Sequence, residues 1–549
     1  MTATSENKNQ WLQNNADLAA IVVTLLGFLA RLWAASGIFL NPDEALHFRL
    51  ANQLSLAPAY KASLTAAHPP LFIFLLYFWR ALGTSELWLR LPSVLAGTVF
   101  CWMFYKWLSK AAGSLTGFIG LLFVALLPPV VLIAAEVRQY ALLLAFLISA
   151  LYFLDEAFAE KSPRRMAAFS LCLYLAMLFH YSAFLFAAAL GIYALFRFFT
   201  ERLPASLVAA WSVGQLGGLA IAAFLYKTHL SKLGTGDSRT ALQGWMSEYY
   251  LQHSYFDPAH GNWLMFLVGH SFGVFQYFFG QLAVGVVVGL LFVVGVTLLL
   301  REKDAAGERM SSRRLGLFLL LPFAVAGAAN LAHYYPYGGT RHVAFLIIPA
   351  ITGVSVAIAR LASGSTKSGP LEKRWSRGLA VAALILVTCI AFGKPRQPHM
   401  ERADQSRKHM ADAVDFIREN IKPSDLIFTD YQGDLTLGHY LCQQRPISLE
   451  VTPADFQQFS CGGHQIVSSD YKTAWMFSAN NFPKEWQRFV QSYSLKPGDT
   501  VWIAQAGWGV DLPADLQKHF AEFRSLRFES FGKNIKIFKL TVGQPMPAP

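Results

Sequence analysis

The sequence predicts an α-helical polytopic membrane protein with about eleven transmembrane helices and a small C-terminal α/β external domain. Three observations predict it. Of 549 residues, 54% are apolar and only 15% are charged, a balance foreign to an ordinary soluble domain. The apolar residues gather into runs close to the ~20 residues that cross about 30 Å of hydrocarbon. After Gly393 the composition becomes mixed, with no further run long enough to span.

The first run, 17–39, follows a polar stretch, Met1–Asn15. That stretch lacks a basic n-region and no small-residue cleavage site follows the run, so it reads as a retained helix. Further spans are expected over 88–108, 113–132, 138–157, 166–180 (a short one), 182–199, 204–226, 279–300, 315–333, 341–361 and 377–393. The 44 Phe and 14 Trp suit lipid-facing helices and interfacial belts. Four loops concentrate the basic residues: Lys161, Arg164 and Arg165; Arg197 and Arg202; Arg301, Lys303, Arg309, Arg313 and Arg314; and Arg360, Lys367, Lys373, Arg374 and Arg377. Cytoplasmic loops carry such an excess. The same clustering explains the net charge of +12 without a nucleic-acid partner.

Two apolar runs are read differently. Pro70–Leu82 is only ~13 residues, a length typical of interfacial or re-entrant segments. Crossing there would also invert every later loop, so it is expected as a juxtamembrane helix on the outer face. The stretch 263–279 carries His270 and Gln276 and is expected to be re-entrant or interfacial. Eleven spans then place the N-terminus in the cytoplasm and the C-terminus outside. The chain divides into a transmembrane domain, 1–393, with outer loop 40–87, and an external or periplasmic domain, 394–549. A bacterial inner (plasma) membrane is the expected location.

In the tail, Ala403–Asn420 has helical periodicity, Asp425–Asp430 and Thr500–Gln505 read as strands, and Ser525–Leu540 reads as a hairpin turning near Gly532-Lys533. Cys101, Cys172 and Cys389 fall in spans, as small core residues. Cys442 and Cys461 fall in the tail, where an oxidising compartment favours a disulfide between them; two unpaired thiols are the alternative.

The topology gathers Asp43, Glu44, His68, Arg138, His180 and Arg341 at one face, a convergence not used to orient the chain. Charge beside a bilayer is costly unless solvated or paired, so such residues are candidates for chemistry. Adjacent residues diverge by about 100° on a helix. Asp43 and Glu44 therefore divide between roles: one as general base, the other holding a cation or the loop. The alternative for Asp43 is a helix cap after Pro42. His68, before Pro69-Pro70, could bind phosphate, a metal or an acceptor. Arg138, with Tyr140, is either a phosphate clamp or a snorkelling side chain near Glu136. His180-Tyr181 lie at a tight outer turn. Gly338-Gly339-Thr340-Arg341-His342 is what a phosphate-binding loop entering a helix needs. No diagnostic metal spacing occurs; no particular cofactor is implied, and a divalent metal on Asp43, Glu44 and His68 is an open alternative. Trp245, Tyr249, Tyr250 and Tyr255 in the outer loop 227–262 offer either a sugar-stacking surface or interfacial packing.

Taken in order, Pro42-Asp43-Glu44, His68-Pro69-Pro70-Leu71, Arg90-Leu91-Pro92-Ser93, Arg138-Gln139-Tyr140, His180-Tyr181 and Arg341-His342 resemble the GT-C membrane glycosyltransferases. They are similar in particular to bacterial homologues of dolichyl-phosphate-mannose protein mannosyltransferases and to aminoarabinose lipid A transferases, over about residues 15–360. The resemblance implies an inverting transfer of a hexose or pentose from a polyprenyl-phosphate donor to a hydroxyl of a glycolipid, polysaccharide or protein at the outer face. It implies Asp43 as catalytic base with Glu44 in support, and Arg138, Arg341 and Tyr140 at the donor phosphate. His68, His180, Tyr181 and His342 would line the acceptor side. His342 stands where many relatives carry an aromatic residue, and His47 replaces a frequent tyrosine. A transporter or flippase of lipid-linked glycans is the alternative, although the sequence shows no internal repeat and its charges avoid the midplane.

Overall fold

The computed structural model describes residues 2–233, 251–259, 261–302, 311–363, 371–393, 402–442, 450–451, 456–470, 473–509 and 511–543. Lys303, Arg309, Lys367, Trp245, Tyr249 and Tyr250 lie outside them. The helices are, in order, α1 (Thr2–Ala35), α2 (Pro42–Ala51), α3 (Leu56–Ser63), α4 (Leu71–Trp79), α5 (Glu86–Ala112), α6 (Ser114–Leu126), α7 (Pro128–Ile133), α8 (Tyr140–Ala159), α9 (Pro163–Phe179) and α10 (Ala183–Thr200). They continue with α11 (Ala205–Thr228), α12 (Trp263–Phe279), α13 (Leu282–Arg301), α14 (Ser312–Leu331), α15 (Ile347–Ser363) and α16 (Leu371–Phe392). The tail adds α17 (Arg407–Asn420), α18 (Tyr431–Leu441), α19 (Phe482–Ser492) and α20 (Leu512–His519).

Among the described residues, nine helices are long and apolar enough to cross a membrane. They match nine of the eleven expected spans. The other two differ. The expected span 113–132 is broken at Leu127-Pro128 into the 13-residue α6 and the 6-residue α7, because proline cannot donate to the helix ladder. Expected span 166–180 is the 17-residue α9. The carbonyls freed at the end of α6 are met by a buried arginine: Arg31 donates to Val124 O at 2.7 Å and Ala125 O at 3.1 Å, and also to Gly27 O of its own helix at 2.9 Å. A cation on the negative end of a helix dipole is favourable even without a carboxylate partner. One hydrophobic core runs through this bundle, and the segment Arg341–Ser363 is buried throughout the span at its centre.

The two doubtful runs are short structures at one end. The 9-residue α4 is about 13 Å long, too short to cross. Helix α12 is tied at both ends to the same side of the bundle. Before it, Asn330, at the end of α14, donates to Ser254 O at 2.7 Å and accepts from Phe256 N at 3.1 Å. After it, Gln281 donates to Phe392 O, at the end of α16, at 3.4 Å. A re-entrant or interfacial segment needs this arrangement.

The tail forms a seven-stranded sheet: β1 (Leu426–Thr429), β2 (Glu450–Val451), β3 (Gln457–Cys461), β4 (His464–Ser468), β5 (Thr500–Ala506), β6 (Phe528–Ser530) and β7 (Ile535–Thr541), in the order β2-β3-β4-β1-β5-β7-β6. Strands β4, β1 and β5 are parallel and the rest antiparallel. Helices α17 and α18 cover one face, with Met410, Ile417, Leu437 and Leu441 packed on Ile427 and Ile537. Helices α19 and α20 cover the other, with Trp486, Phe489 and Leu512 packed on Phe428 and Ile503. Cys442 and Cys461 form a disulfide, their Cα atoms 5.0 Å apart. The predicted strands and hairpin match β1, β5 and β6–β7, while α17 starts four residues later than expected.

The arginine under the broken helix needs a glycine beside it. A Cβ on Gly97 would lie 2.5 Å from Ala134 Cβ and 2.7 Å from Arg31 Nε. Gly97→Ala is therefore expected to destabilise the bundle by about 1–3 kcal/mol. Thermal unfolding of the detergent-solubilised protein checks this; an unchanged midpoint would contradict the close approach.

Candidate active site

The site is built on α2, and a sequence-local device sets its first turn. Asn41 caps the helix: its side chain accepts from Glu44 N at 3.0 Å, while Glu44 Oε2 accepts from Asn41 N at 3.0 Å. This reciprocal capping box removes the alternative role of Asp43 as the cap and leaves its carboxylate for other partners.

Glu44 is fully buried. Its Oε1 accepts from Arg90 Nε at 2.7 Å and from Val137 N at 2.8 Å. Its Oε2 also accepts from Arg90, at 2.6 Å. Arg90 spends its other N–H groups on Ala35 O, Ile38 O and Phe39 O, at 2.9–3.0 Å. Glu44 was expected at the catalytic centre in support of Asp43, as the residue holding a cation or the loop. With both oxygens saturated inside the protein, it locks α2 to α5 and to the segment before α8.

Asp43 faces the other way. Its Oδ2 forms an ion pair with Arg341 and another with Arg138 NH1 at 3.2 Å. Burial would raise the Asp43 pKa, but the Arg138 and Arg341 guanidiniums outweigh it and hold the carboxyl at about 2. One turn on, His47 Nδ1–H donates to Asp43 O at 2.7 Å. Burial, with the Arg138 charge, holds His47 at about 3, so its imidazole is neutral at physiological pH. Glu136 approaches Arg341 NH1 at 4.0 Å. Burial pushes Glu136 up to about 7, despite the nearby Arg341 charge.

Arg138 is placed by the turn into α8: its carbonyl accepts from Ser93 Oγ at 2.8 Å, and its guanidinium lies 5.6 Å from the Tyr140 ring centre. The His68 ring centre lies 5.0 Å from His180, 6.1 Å from His47 and 6.3 Å from Tyr140. Ser182 N donates to His180 Nδ1 at 3.1 Å. His342 is buried beside Arg341, its carbonyl accepting from Tyr335 OH at 3.0 Å. Four buried polar groups here have no protein partner among the described residues: Arg138 Nε, the Gln139 amide, Tyr140 OH and His180 Nε2. Buried groups of this kind call for a polar ligand or water.

Of the expected residues, Asp43, His68, Arg138, Tyr140, His180, Arg341 and His342 come together. Tyr181 does not line the cluster through its hydroxyl, which donates to His229 Nδ1 at 2.7 Å; His229 Nε2–H in turn donates to Ser63 O at 3.1 Å. That chain ties α3 to the end of α11. Tyr255 stacks on His333, 6.4 Å between ring centres. His47, Glu136 and the Arg90 partner of Glu44 are the residues that sequence reasoning did not assign to the site. A histidine one turn after Asp43, and Glu136 two residues before Arg138, were the available signals.

Among the described residues, no group of three or more His, Cys, Asp or Glu side chains converges as metal ligands. The Asp43 carboxylate is paired with two guanidiniums. What the arrangement offers is a surplus of positive charge around one ionised carboxylate, suited to an anionic ligand.

The fold is similar along almost the whole chain to that of ArnT from Cupriavidus metallidurans bound to undecaprenyl phosphate. The two share 12% identity over 96% of this chain and 99% of that one, with a TM-score of 0.52. The fold is GT-C-like. An apo structure of the same ArnT gives the same TM-score, 0.52, at 12% identity over 97% of this chain and 100% of that one. The Archaeoglobus fulgidus oligosaccharyltransferase tethered to an acceptor peptide matches with a TM-score of 0.50, at 11% identity over 90% of this chain and 70% of that one. By sequence, the family described as dolichyl-phosphate-mannose-protein mannosyltransferase matches residues 67–231. No curated protein matches the sequence. The GT-C-like likeness thus covers both the helical bundle and the tail, while the family match begins just before His68 and leaves out Asp43.

The stitch between Glu44 and Arg90 gives a direct test. Arg90→Met would leave the Glu44 charge buried and unpaired, which costs about 3–5 kcal/mol. The variant should melt markedly lower in detergent; parental melting would show that the pair does not hold α2.

Proposed function

We propose that this chain is an inverting glycosyltransferase. It moves a sugar from a polyprenyl-phosphate donor to a hydroxyl of a glycolipid, polysaccharide or protein at the outer face of a bacterial inner membrane, with its C-terminal domain outside. The observation that carries the proposal is Asp43 held between two guanidiniums, in a GT-C-like fold, beside buried polar groups that lack protein partners. The undecaprenyl phosphate in the ArnT structure supports a lipid-phosphate donor by analogy of fold.

The chemistry follows from charge. The acceptor hydroxyl gives its proton to Asp43 as its oxygen attacks the anomeric carbon. The bond from that carbon to the phosphate oxygen breaks, and its electron pair leaves with the lipid phosphate. A single displacement inverts the anomeric centre. The phosphate is a good leaving group, so what the protein must supply is a base and cations for the growing charge. A carboxylate at a pKa of about 2 is a weak base. A donor phosphate that draws Arg138 and Arg341 onto itself removes the charges that depress Asp43, so donor binding raises its basicity.

Asp43→Asn should lower transfer by at least about 10²-fold, while donor binding is kept or strengthened, since both guanidiniums then lose the Asp43 charge. Transfer of labelled sugar and donor binding, measured in reconstituted vesicles, check this. Normal turnover would remove the proposed base, and movement of labelled lipid without a new glycosidic bond would mark a flippase instead.

The pH dependence has a defined sign. In the free protein Asp43, near 2, is ionised at every working pH and sets no limb of kcat/KM. Glu136, raised to about 7, is neutral below that pH and becomes an anion beside Arg341 above it, where it competes with the donor phosphate. Donor KM should therefore rise as pH passes 7, and Glu136→Gln should flatten that limb. The same group makes the fold less stable as pH rises from its ordinary 4.5 to 7, because the folded state binds the proton more tightly.

A further inference from the structure

We propose that the C-terminal sheet unit is a brace that sets the position of Asp43, with Asp434 as its positioning residue; this rests on the glycosyl-transfer reading above. Helix α2 has only ten residues, and a helix that short has no stable geometry of its own in water. Its placement comes from its partners. On the membrane side the partner is the Glu44–Arg90 pair. On the other side it is the tail, which holds α2 near both ends.

Toward the C-terminal end of α2, Arg49 meets Asp434 of α18 in a bidentate pair. Arg49 NH1 lies 2.7 Å from Asp434 Oδ2, and NH2 lies 2.9 Å from Oδ1 and donates to Asp434 O at 2.8 Å. Asp434 is fully buried and Arg49 nearly so. Fork-to-fork geometry of this kind fixes direction as well as distance. Helix α18 is in turn fixed to the sheet, since Thr436 Oγ1 donates to Ala506 O of β5 at 3.0 Å, and its cap Asp430, next after β1, accepts from Gly433 N at 2.8 Å and from Phe477 N at 3.0 Å.

At the start of α2, Leu40 N donates to Tyr440 OH at 2.8 Å, and Tyr440 OH donates to Glu86 Oε1 at 3.1 Å. A Cβ on Gly507, in the loop after β5, would lie 3.0 Å from Pro42 Cγ. The apolar contacts are exchanged between the two units. Phe39 enters the tail core beside Ile427 and Ile466, and Leu435 of the tail enters the cluster of α2 beside Phe48 and Leu76. A tail that merely docked on the bundle would need none of these contacts on the helix that carries Asp43.

The test uses the full-length protein in nanodiscs, with Asp434→Asn and the paired replacement Arg49→Met/Asp434→Leu. The paired change leaves no orphaned charge, so it covers the case in which the single variant fails to fold. Hydrogen exchange of residues 42–51 is read first, without reference to activity. Exchange at least about tenfold faster, with tail amides at parental rates, is the expected result. In sugar transfer, kcat should fall by about 10²-fold, the scale of a misplacement near 1 Å, with donor KM essentially unchanged. Parental exchange over α2 in a folded paired variant would overturn the brace, as would parental kcat with α2 loosened. Asp43→Asn separates the two readings. If it keeps full transfer, the catalytic assignment fails, and the exchange experiment still decides whether the tail holds α2.

Discussion

The ion pair between Glu44 and Arg90 is the constraint on which the site depends. Two charges taken out of water are tolerable only when their hydrogen-bonding capacity is met inside. Here it is: the carboxylate takes bonds from Arg90, Asn41 N and Val137 N, and the guanidinium also satisfies three carbonyls at the end of α1 and the following turn. Such a saturated pair accepts one geometry. Its neighbours in sequence inherit that geometry. Asp43 stands beside Glu44, and Arg138 stands beside Val137. Fixing Glu44 to Val137 N therefore brings Asp43 and Arg138 within 3.2 Å on the adjoining face. The residues that hold and the residues that carry charge to the pocket are adjacent in both segments, Asp43 beside Glu44 and Arg138 beside Val137.

Four buried or half-buried arginines show how the same side chain takes different roles according to what its N–H groups meet. Arg31 donates to helix-end carbonyls. Arg90 is saturated by carboxylate and carbonyls. Arg138 and Arg341 instead share one carboxylate oxygen, and Arg138 Nε has no protein partner among the described residues. Two guanidiniums on one carboxylate leave a net positive charge, which is the condition for exchanging that carboxylate for a phosphate.

Much of this was legible in the sequence, because hydropathy and loop charge are local signals. Nine spans, the short segments at 71–79 and 263–279, and the strands β1, β5 and β7 follow from periodicity and composition. So does the ordered series from Asp43 to Arg341. What escaped depends on long-range pairing. Nothing near Glu44 announces Arg90 as its partner, 46 residues away, and nothing near Arg49 announces Asp434, 385 residues away. Glu44 was grouped with Asp43 because adjacency is visible and saturation is not. Tyr181 was grouped with His180 for the same reason, although one residue along the chain turns its hydroxyl toward His229. The β3–β4 hairpin carries a local sign of its own: Gly462-Gly463, with φ of 62° and 88°, supplies the left-handed pair that a two-residue turn requires.

The arrangement also explains why arginine, in place of a metal ion, suits this site on the proposed reaction. A leaving lipid phosphate gains negative charge as the glycosidic bond breaks, and something must stabilise it. A divalent ion would need several anionic or imidazole ligands brought into one shell. Here Glu44 is committed to Arg90, and Asp43 to Arg138 and Arg341. Two guanidiniums deliver the same +2 charge without a ligand shell, and their planar forks match phosphate oxygens. They also leave the imidazoles neutral, so the acceptor side of the pocket can hydrogen-bond a hydroxyl without competing for the phosphate. The cost is a base held near 2 until the donor arrives, which ties proton removal to the presence of the group that is to be displaced.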